Sequence, residues 1–385
     1  MIVEELALQD FRNYERAQLE FSPGLTLVTG RNAQGKTNLL EAVYCLSGLG
    51  SPRTNEPVLV REGAESGYVH GIVRRGERRV EIDLELKIGR PARALLNKTP
   101  VAGAKALGEI VVGVYFGPDD LALVKAGPDG RRRFLDDLAV KARPARDGLR
   151  KEWERVLRQR NSLLKTAPRA GSPPKTLEVW DEAFCRAGAQ VAAARLRVLA
   201  QLLPLSGDRY KSISGGDRLL PAYESAWLDQ PTAEKALEAP DTIDEGLLQT
   251  TLADAMESVR HRELERGVSL VGPQRDDVAI RLLGDNDDSP RDARTHASQG
   301  EQRSAALALK LGEFELLKNV ANEDPILLLD DVFSELDPVR RAWLADSVRG
   351  TSQTIMSSAE AGAIESARAD RVLEIEGGRV IIREG

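Results

Sequence analysis

Cysteine is nearly absent: Cys45 and Cys185 are the two in 385 residues. That excludes a disulfide framework and any metal site of the usual cysteine spacing, so both read as reduced core thiols. Histidine is as scarce, with only His70, His261 and His296. Aromatic residues make up 4%, which argues against a base-stacking platform for single-stranded nucleic acid. No run approaches the roughly 18 uncharged apolar residues of a membrane helix. Glu4, Glu5, Asp10 and Arg12 break up any apolar segment of a secretory signal. The expected location is the cytoplasm, with no membrane partner.

What is present fits a soluble chain of two or three domains, with 42% hydrophobic and 30% charged residues. Net charge is −6, which argues against a protein that coats nucleic acid over its whole surface. The charge is uneven. Residues 1–117 hold 15 Lys/Arg against 14 Asp/Glu (+1), residues 118–207 hold 18 against 11 (+7), and residues 208–385 hold 21 against 35 (−14). A basic middle predicts one localised electrostatic site, although an arginine-rich solvated helix surface would read the same way.

The opening reads as strand, turn, strand, loop, helix. Ser22-Pro23-Gly24 marks a turn, and Leu25-Thr26-Leu27-Val28 has the look of a buried strand. Leu39, Leu40, Val43 and Tyr44 recur at helical spacing, predicting an amphipathic helix over 37–47. Val80, Ile82, Leu84, Leu86 and Ile88 alternate with charged residues as a half-buried strand, preceded by a hairpin turn at Arg74-Arg75-Gly76-Glu77. An antiparallel sheet is therefore expected beside a parallel one. From about 118 the pattern is helical, with Leu149, Trp153, Val156 or Leu157, and Leu164 on one face. Residues 167–174 read as a loop, and a second helix is expected from about 177 to Leu203, where Pro204 should stop it. Residues 225–245 and 284–293 are acidic or polar and read as mobile.

Gly30-Arg31-Asn32-Ala33-Gln34-Gly35-Lys36-Thr37 fits G-x-x-x-x-G-K-[ST] at every fixed position. It follows an expected strand and opens an expected helix, as phosphate binding requires: glycines let the backbone wrap the anion, and the helix start presents free N–H groups. Gly30 to Thr37 and Asn38 are thus candidate ATP contacts. Lys36 would neutralise the β- and γ-phosphates, and the Thr37 hydroxyl would ligate Mg²⁺. Downstream, Pro325-Ile326-Leu327-Leu328-Leu329-Asp330-Asp331 reads as a central parallel strand buried on both faces. Asp330, at its carboxyl end, is the second metal candidate. Asp331 is placed to orient or deprotonate the attacking water. Either acid alone would serve equally as a helix cap; with the glycine loop they point to an NTPase.

Ser298-Gln299-Gly300-Glu301-Gln302 precedes a helical stretch from Arg303 to about Lys318. Ser298 followed by Glu301 is a capping box, which accounts for a well-capped helix start. The same terminus offers an anion site through Ser298, Gly300 and Gln302. One phosphate site already exists in the glycine loop, so this second one makes most sense reaching the γ-phosphate across a dimer interface. Ser334-Glu335-Leu336-Asp337 would line that interface.

The order of these motifs resembles the ATP-binding-cassette class. More narrowly, the chain resembles the RecF family of bacterial recombination and repair ATPases. The resemblance is carried by Asp10-Phe11-Arg12-Asn13-Tyr14, by residues 32–42, and by Ser51-Pro52-Arg53-Thr54. It continues through residues 116–121, through Arg131-Arg132-Arg133-Phe134-Leu135-Asp136, and through Gly272-Pro273-Gln274-Arg275-Asp276-Asp277. Pro52 and Gln274 stand where the family usually has histidine.

The resemblance implies an α/β fold: a P-loop ATPase head with a mixed sheet and antiparallel subdomain, assembled from 1–117 and 268–385, with a helical lobe, 118–267, inserted. Expected helices of about 25 and 40 Å are far too short for the long arms of chromosome-structure ATPases. It implies an ATP- and Mg²⁺-dependent homodimer acting on double-stranded or gapped DNA with RecR and RecO, and places Arg12 near the adenine. The DNA candidates are Arg131, Arg132, Arg133 and Arg150 in the basic block, and Arg74 and Arg75 in the hairpin turn. Such contacts position without reading sequence. Cassette ATPases usually carry a histidine where this chain has Thr354 to Ala359, so hydrolysis is expected to be slow and DNA-stimulated. A transporter's nucleotide-binding subunit or a non-hydrolysing ATP-binding scaffold would share the ATP motifs.

Overall fold

The computed structural model describes residues 1–53, 56–166, 175–285, 287–359 and 369–383. The loop expected at 167–174 lies outside them. Packing divides the chain into two units, Met1–Leu121 with Glu313–Gly385, and Ala122–Gly312.

The first unit is built on two sheets. Its parallel sheet runs, edge to edge, Arg379–Arg383, Arg371–Glu376, Gly24–Thr29, Gln353–Ser358, Ile326–Asp330 and Gly113–Phe116. Only the Arg371–Glu376 and Arg379–Arg383 pair is antiparallel. The apolar run ending at Asp330 is buried at every position, because parallel neighbours flank it and layers cover both faces. Register then sets the site. Asp330 pairs with Ser357, and Ser358 pairs with Thr29, so the carboxyl ends of three strands finish side by side.

The antiparallel sheet runs Tyr14–Glu20, Ile2–Phe11, Ser66–Arg75, Arg78–Lys87, Arg90–Leu96 and Thr99–Pro100. Ile82, Leu84 and Leu86 are buried as the alternation requires, whereas Ile88 lies past the strand end and is exposed. Between the sheets runs the helix Lys36–Cys45. Its Leu39, Leu40 and Val43 join Val3, Leu6 and Val69 from one sheet and Val28, Leu328 and Ile355 from the other in one apolar cluster.

The second unit contains the helices Pro128–Ala142, Asp147–Thr166, Lys175–Ser214, Gln230–Glu238 and Glu245–Arg266, and a three-stranded antiparallel sheet. The boundary expected at 267/268 falls instead between Gly312 and Glu313. Strand Asp277–Leu283 pairs along its length with Arg218–Glu224, which binds residues after 267 to this unit. Residues 225–245, expected to be mobile, contain the helix Gln230–Glu238 with Asp229 as its N-cap, preceded by buried Trp227 and Leu228. Part of 284–293 forms the short strand Arg291–Asp292.

Pro204 does not stop its helix. Lys175–Ser214 runs through it, about 60 Å at 1.5 Å per residue. A helix-interior proline loses a hydrogen bond and strains the preceding turn, at a cost of about 3 kcal/mol. Buried Leu199, Leu202, Ser206 and Tyr210 around it offset that cost. Arg160, wholly buried, ties three helices by donating to Asp181 at 2.8 Å, Glu263 at 2.6 Å and Ser269 at 2.7 Å.

Candidate nucleotide site

The strand Gly24–Thr29 delivers Gly30, and the helix beginning at Lys36 closes the loop. Gly30 has φ 144°, and a Cβ there would come within 2.4 Å of the Ile375 carbonyl. Gly35 has φ 117°, and its Cβ would meet the Asn13 amide at 2.6 Å. Neither position accepts a side chain. Asn13 and Tyr14 hold the loop from outside: the Asn13 amide donates to Gln34 O at 2.9 Å and the Tyr14 hydroxyl to Gly35 O at 2.9 Å. From the other side the backbone N–H of Gly377 donates to the Gln34 side chain at 2.6 Å, and that of Gly378 to Gln34 O at 3.2 Å. Asn38 donates to Asn13 at 2.8 Å. Sequence reading tied Asn13 and Tyr14 only to a family motif; their work as a clamp on the loop is visible only in three dimensions.

The helix Lys36–Cys45 starts with no side-chain cap and no acid in its first turn, so its N–H groups and positive end are left for an anion. The Lys36 ammonium donates to Gly30 O at 2.8 Å and Arg31 O at 3.0 Å. Burial lowers its pKa, and Asp331 and Asp330 oppose that shift. Its nitrogen thus sits on the loop carbonyls, within electrostatic reach of the two carboxylates.

Asp330 is buried and gathers three hydroxyls. Its Oδ1 accepts from Thr37 at 2.9 Å and from Ser357 at 2.6 Å, and its Oδ2 accepts from Tyr115 at 2.8 Å. Asp331 has a left-handed backbone, φ 52°. Its N–H donates to the Ser357 carbonyl at 3.2 Å and approaches the Ser357 hydroxyl at 3.0 Å, while its Oδ1 is buried without a hydrogen-bond partner. Thr37 and Asp330 offer the hard oxygen donors Mg²⁺ takes, and the unpartnered Asp331 oxygen is an acceptor awaiting a donor. A Mg²⁺ held there would neutralise phosphate charge.

Arg12 is held by Glu41 and by the chain at Val58. It gives two hydrogen bonds to buried Glu41, at 2.7 and 2.9 Å, and one to Val58 O at 3.1 Å. Ser51 also donates to Glu41.

Ser298, Gly300 and Gln302 lie in the inserted unit, Ser298 just before the helix Gln299–Ala321 and the other two in its first turn. The capping box is formed in both directions: Ser298 N–H donates to Glu301 at 2.7 Å, and Glu301 N–H to the exposed Ser298 hydroxyl at 3.3 Å. Against the opposing effect of burial, the Ser298 hydroxyl and backbone both hold the Glu301 carboxyl below its ordinary pKa. Gln302 does not point outward. It is buried, donating to Ala293 O at 2.9 Å and Arg294 O at 3.2 Å, which withdraws it as a ligand contact. Asp337 caps the helix Pro338–Val348 through the Arg340 N–H at 3.0 Å.

The arginine candidates separate. Arg131 is buried, forks onto Asp277 at 2.7 and 2.8 Å and donates to Leu123 O and Ala126 O. It cannot reach a DNA phosphate. Arg132 donates to Asp276 O at 2.6 Å and to Asp129. Arg150 pairs with Glu154 at 2.9 Å, Arg74 with Glu4 at 2.7 Å, and Arg75 with Glu323 at 2.9 Å. Arg133 lies on the exposed side of its helix. The two arginine- and aspartate-rich motifs instead lock each other: Arg195 forks onto Asp136 at 2.7 and 2.9 Å and donates to Pro273 O at 2.7 Å. Burial pushes the Asp276 carboxyl up to about 6, although Tyr223 and Trp227 donate to it. Arg131→Gln should therefore destabilise the protein by about 3–5 kcal/mol in urea unfolding while leaving the salt slope of DNA binding unchanged. A slope reduced by about 0.9 would instead make Arg131 a phosphate contact.

A DNA replication and repair protein RecF from Beutenbergia cavernae is 40% identical over 400 residues, covering 99% of both chains. One of the same name from Streptomyces avermitilis is 42% identical over 367 residues, covering 93% of this chain and 94% of that protein. The family described as RecF/RecN/SMC N terminal domain matches residues 2–379. The chain belongs to the RecF family. The fold agrees: a recombination mediator protein of the RecFOR pathway, solved as RecF-ATP, superimposes with TM-score 0.86 at 30% identity, over 99% of this chain and 97% of that one. RecF membership makes the first unit's site that of a P-loop ATPase head and sets aside the transporter subunit. Among the described residues no helix is long and apolar enough to cross a membrane.

Proposed function

We propose that the protein is a cytoplasmic, ATP-dependent, dimerising DNA-binding ATPase that acts at gapped DNA in recombinational repair, with slow hydrolysis as its release switch. The RecF relatives named for DNA replication and repair support this reading. The observation that carries it is the unequal furnishing of the site. Lys36, Thr37, Asp330 and Asp331 provide for the β- and γ-phosphates and a Mg²⁺ ion, whereas the strand Gln353–Ser358 brings Ser357, not histidine, beside Asp330. A second copy would supply the missing face through Ser298 and Gly300 at a capped helix terminus. Val339, 79% exposed two residues after Asp337, gives that face an apolar contact.

In the closed pair a water attacks the γ-phosphorus in line, Asp331 takes its proton, and the bond to the β,γ-bridging oxygen breaks to release ADP. Asp331, one methylene shorter than glutamate, and the absence of a histidine sensor make this slow. Opening would then free the DNA, and RecR and RecO are the partners the family suggests. Light scattering with ATP, ADP or no nucleotide, with and without a gapped duplex, tests the reading. The expected result is a dimer only with ATP and hydrolysis stimulated by DNA. A mass indifferent to ATP, or more than about ten turnovers per second without DNA, would overturn it.

A further inference from the structure

We infer that Tyr115 is the positioning residue that aims the Asp330 carboxylate at the metal; the inference rests on the reading of Asp330 as the Mg²⁺ ligand. Tyr115 lies on the edge strand Gly113–Phe116, in register with Leu328, two residues before Asp330. Positions two apart on a strand share a face, so the tyrosine and the aspartate project to the same side. The ring is long enough to bring its hydroxyl to Oδ2 at 2.8 Å. Tyr115 is 4% exposed, and its ring packs edge-on against Tyr44 of the helix that follows the phosphate loop, centroids 6.2 Å apart. The donor is therefore fixed by packing rather than by the carboxylate it serves.

The three hydroxyls divide the carboxylate. Oδ1 receives Thr37 and Ser357, on the side of the phosphate loop. Oδ2 receives Tyr115, which leaves the carboxylate one orientation about its last torsion. Without the Tyr115 hydroxyl a buried carboxylate oxygen loses its partner and the group can swing away from Thr37. Partners that orient a metal ligand in this way typically change metal affinity by about 10–100-fold when removed.

Tyr115→Phe keeps the ring and its contact with Tyr44 and removes only the hydroxyl. The test is the Mg²⁺ concentration that half-saturates ATP-dependent dimer formation, read by light scattering, with Mn²⁺ binding in the presence of ATP followed by paramagnetic resonance. ATP binding in EDTA, unchanged from wild type, reports an intact fold. Tyr115→Phe should raise the half-saturating Mg²⁺ about tenfold and weaken Mn²⁺ binding in step, with kcat at saturating Mg²⁺ moved far less. Asp330→Asn should shift both further. Wild-type Mg²⁺ dependence in Tyr115→Phe beside a shifted Asp330→Asn would overturn the role of Tyr115 alone. If Asp330→Asn shifts neither measurement, the metal reading of Asp330 fails as well.

Discussion

Asp331→Asn should lower single-turnover ATP hydrolysis by about 10²–10⁴-fold, leave ATP affinity within a few-fold, and hold the ATP-bound dimer on DNA. Asparagine is nearly isosteric and adopts the left-handed backbone that φ 52° demands at this position, so the loop after the strand keeps its shape. The Asp331 N–H retains its contacts with Ser357. What disappears is the proton acceptor and the negative charge facing Lys36. A switch that cannot hydrolyse should accumulate closed, which dimer lifetime on a gapped duplex after dilution would show. A scaffold that never turned ATP over would behave the same with either residue. Turnover within threefold of wild type would remove Asp331 from the chemistry.

Ser298→Arg should abolish ATP-dependent dimerisation, weakening it at least about 100-fold, while each monomer still binds ATP. Loss of the N-cap costs the helix only about 1 kcal/mol, so the capping role and the interface role must be separated. Ser298→Asp does that. Aspartate caps as well as serine but sets a negative charge where the γ-phosphate would arrive. The expected pattern is a melting temperature near wild type in Ser298→Asp with no ATP-dependent dimer. Full dimer formation by that variant would mean each protomer completes its own pocket.

Phosphate chemistry leaves little choice of residue, which is why Gly30, Lys36, Thr37 and Asp330 could be read from spacing alone. Two glycines must adopt φ values of 144° and 117°, and a buried four-residue apolar run must end on its acid. Packing chemistry leaves more choice, and there the sequence was opaque. Tyr115 lies 215 residues from Asp330, and nothing local marks a strand tyrosine as a donor. Pro204 read as a helix end because a local rule cannot weigh the burial of Leu199, Leu202 and Tyr210 against one lost hydrogen bond. Strand Arg218–Glu224 carries Pro221, a residue that by itself argues against a strand. It is an edge strand, where a missing N–H is tolerated. Arg131 looked like a phosphate contact because a charge run does not say which arginine faces inward.

The cradle around the phosphate loop has two jaws. Asn13 and Tyr14 belong to the first twenty residues, whereas Gly377 and Gly378 come from the far end of the sequence. The strand leading into the loop is flanked by segments 353–358 and 371–376. During synthesis at about 5–20 residues per second, the nascent chain exposes its glycine loop long before either neighbour has left the ribosome. A chain cut short before residue 353 would lack one jaw and both flanking strands, so its phosphate loop is expected to bind ATP far more weakly than that of the longer chain.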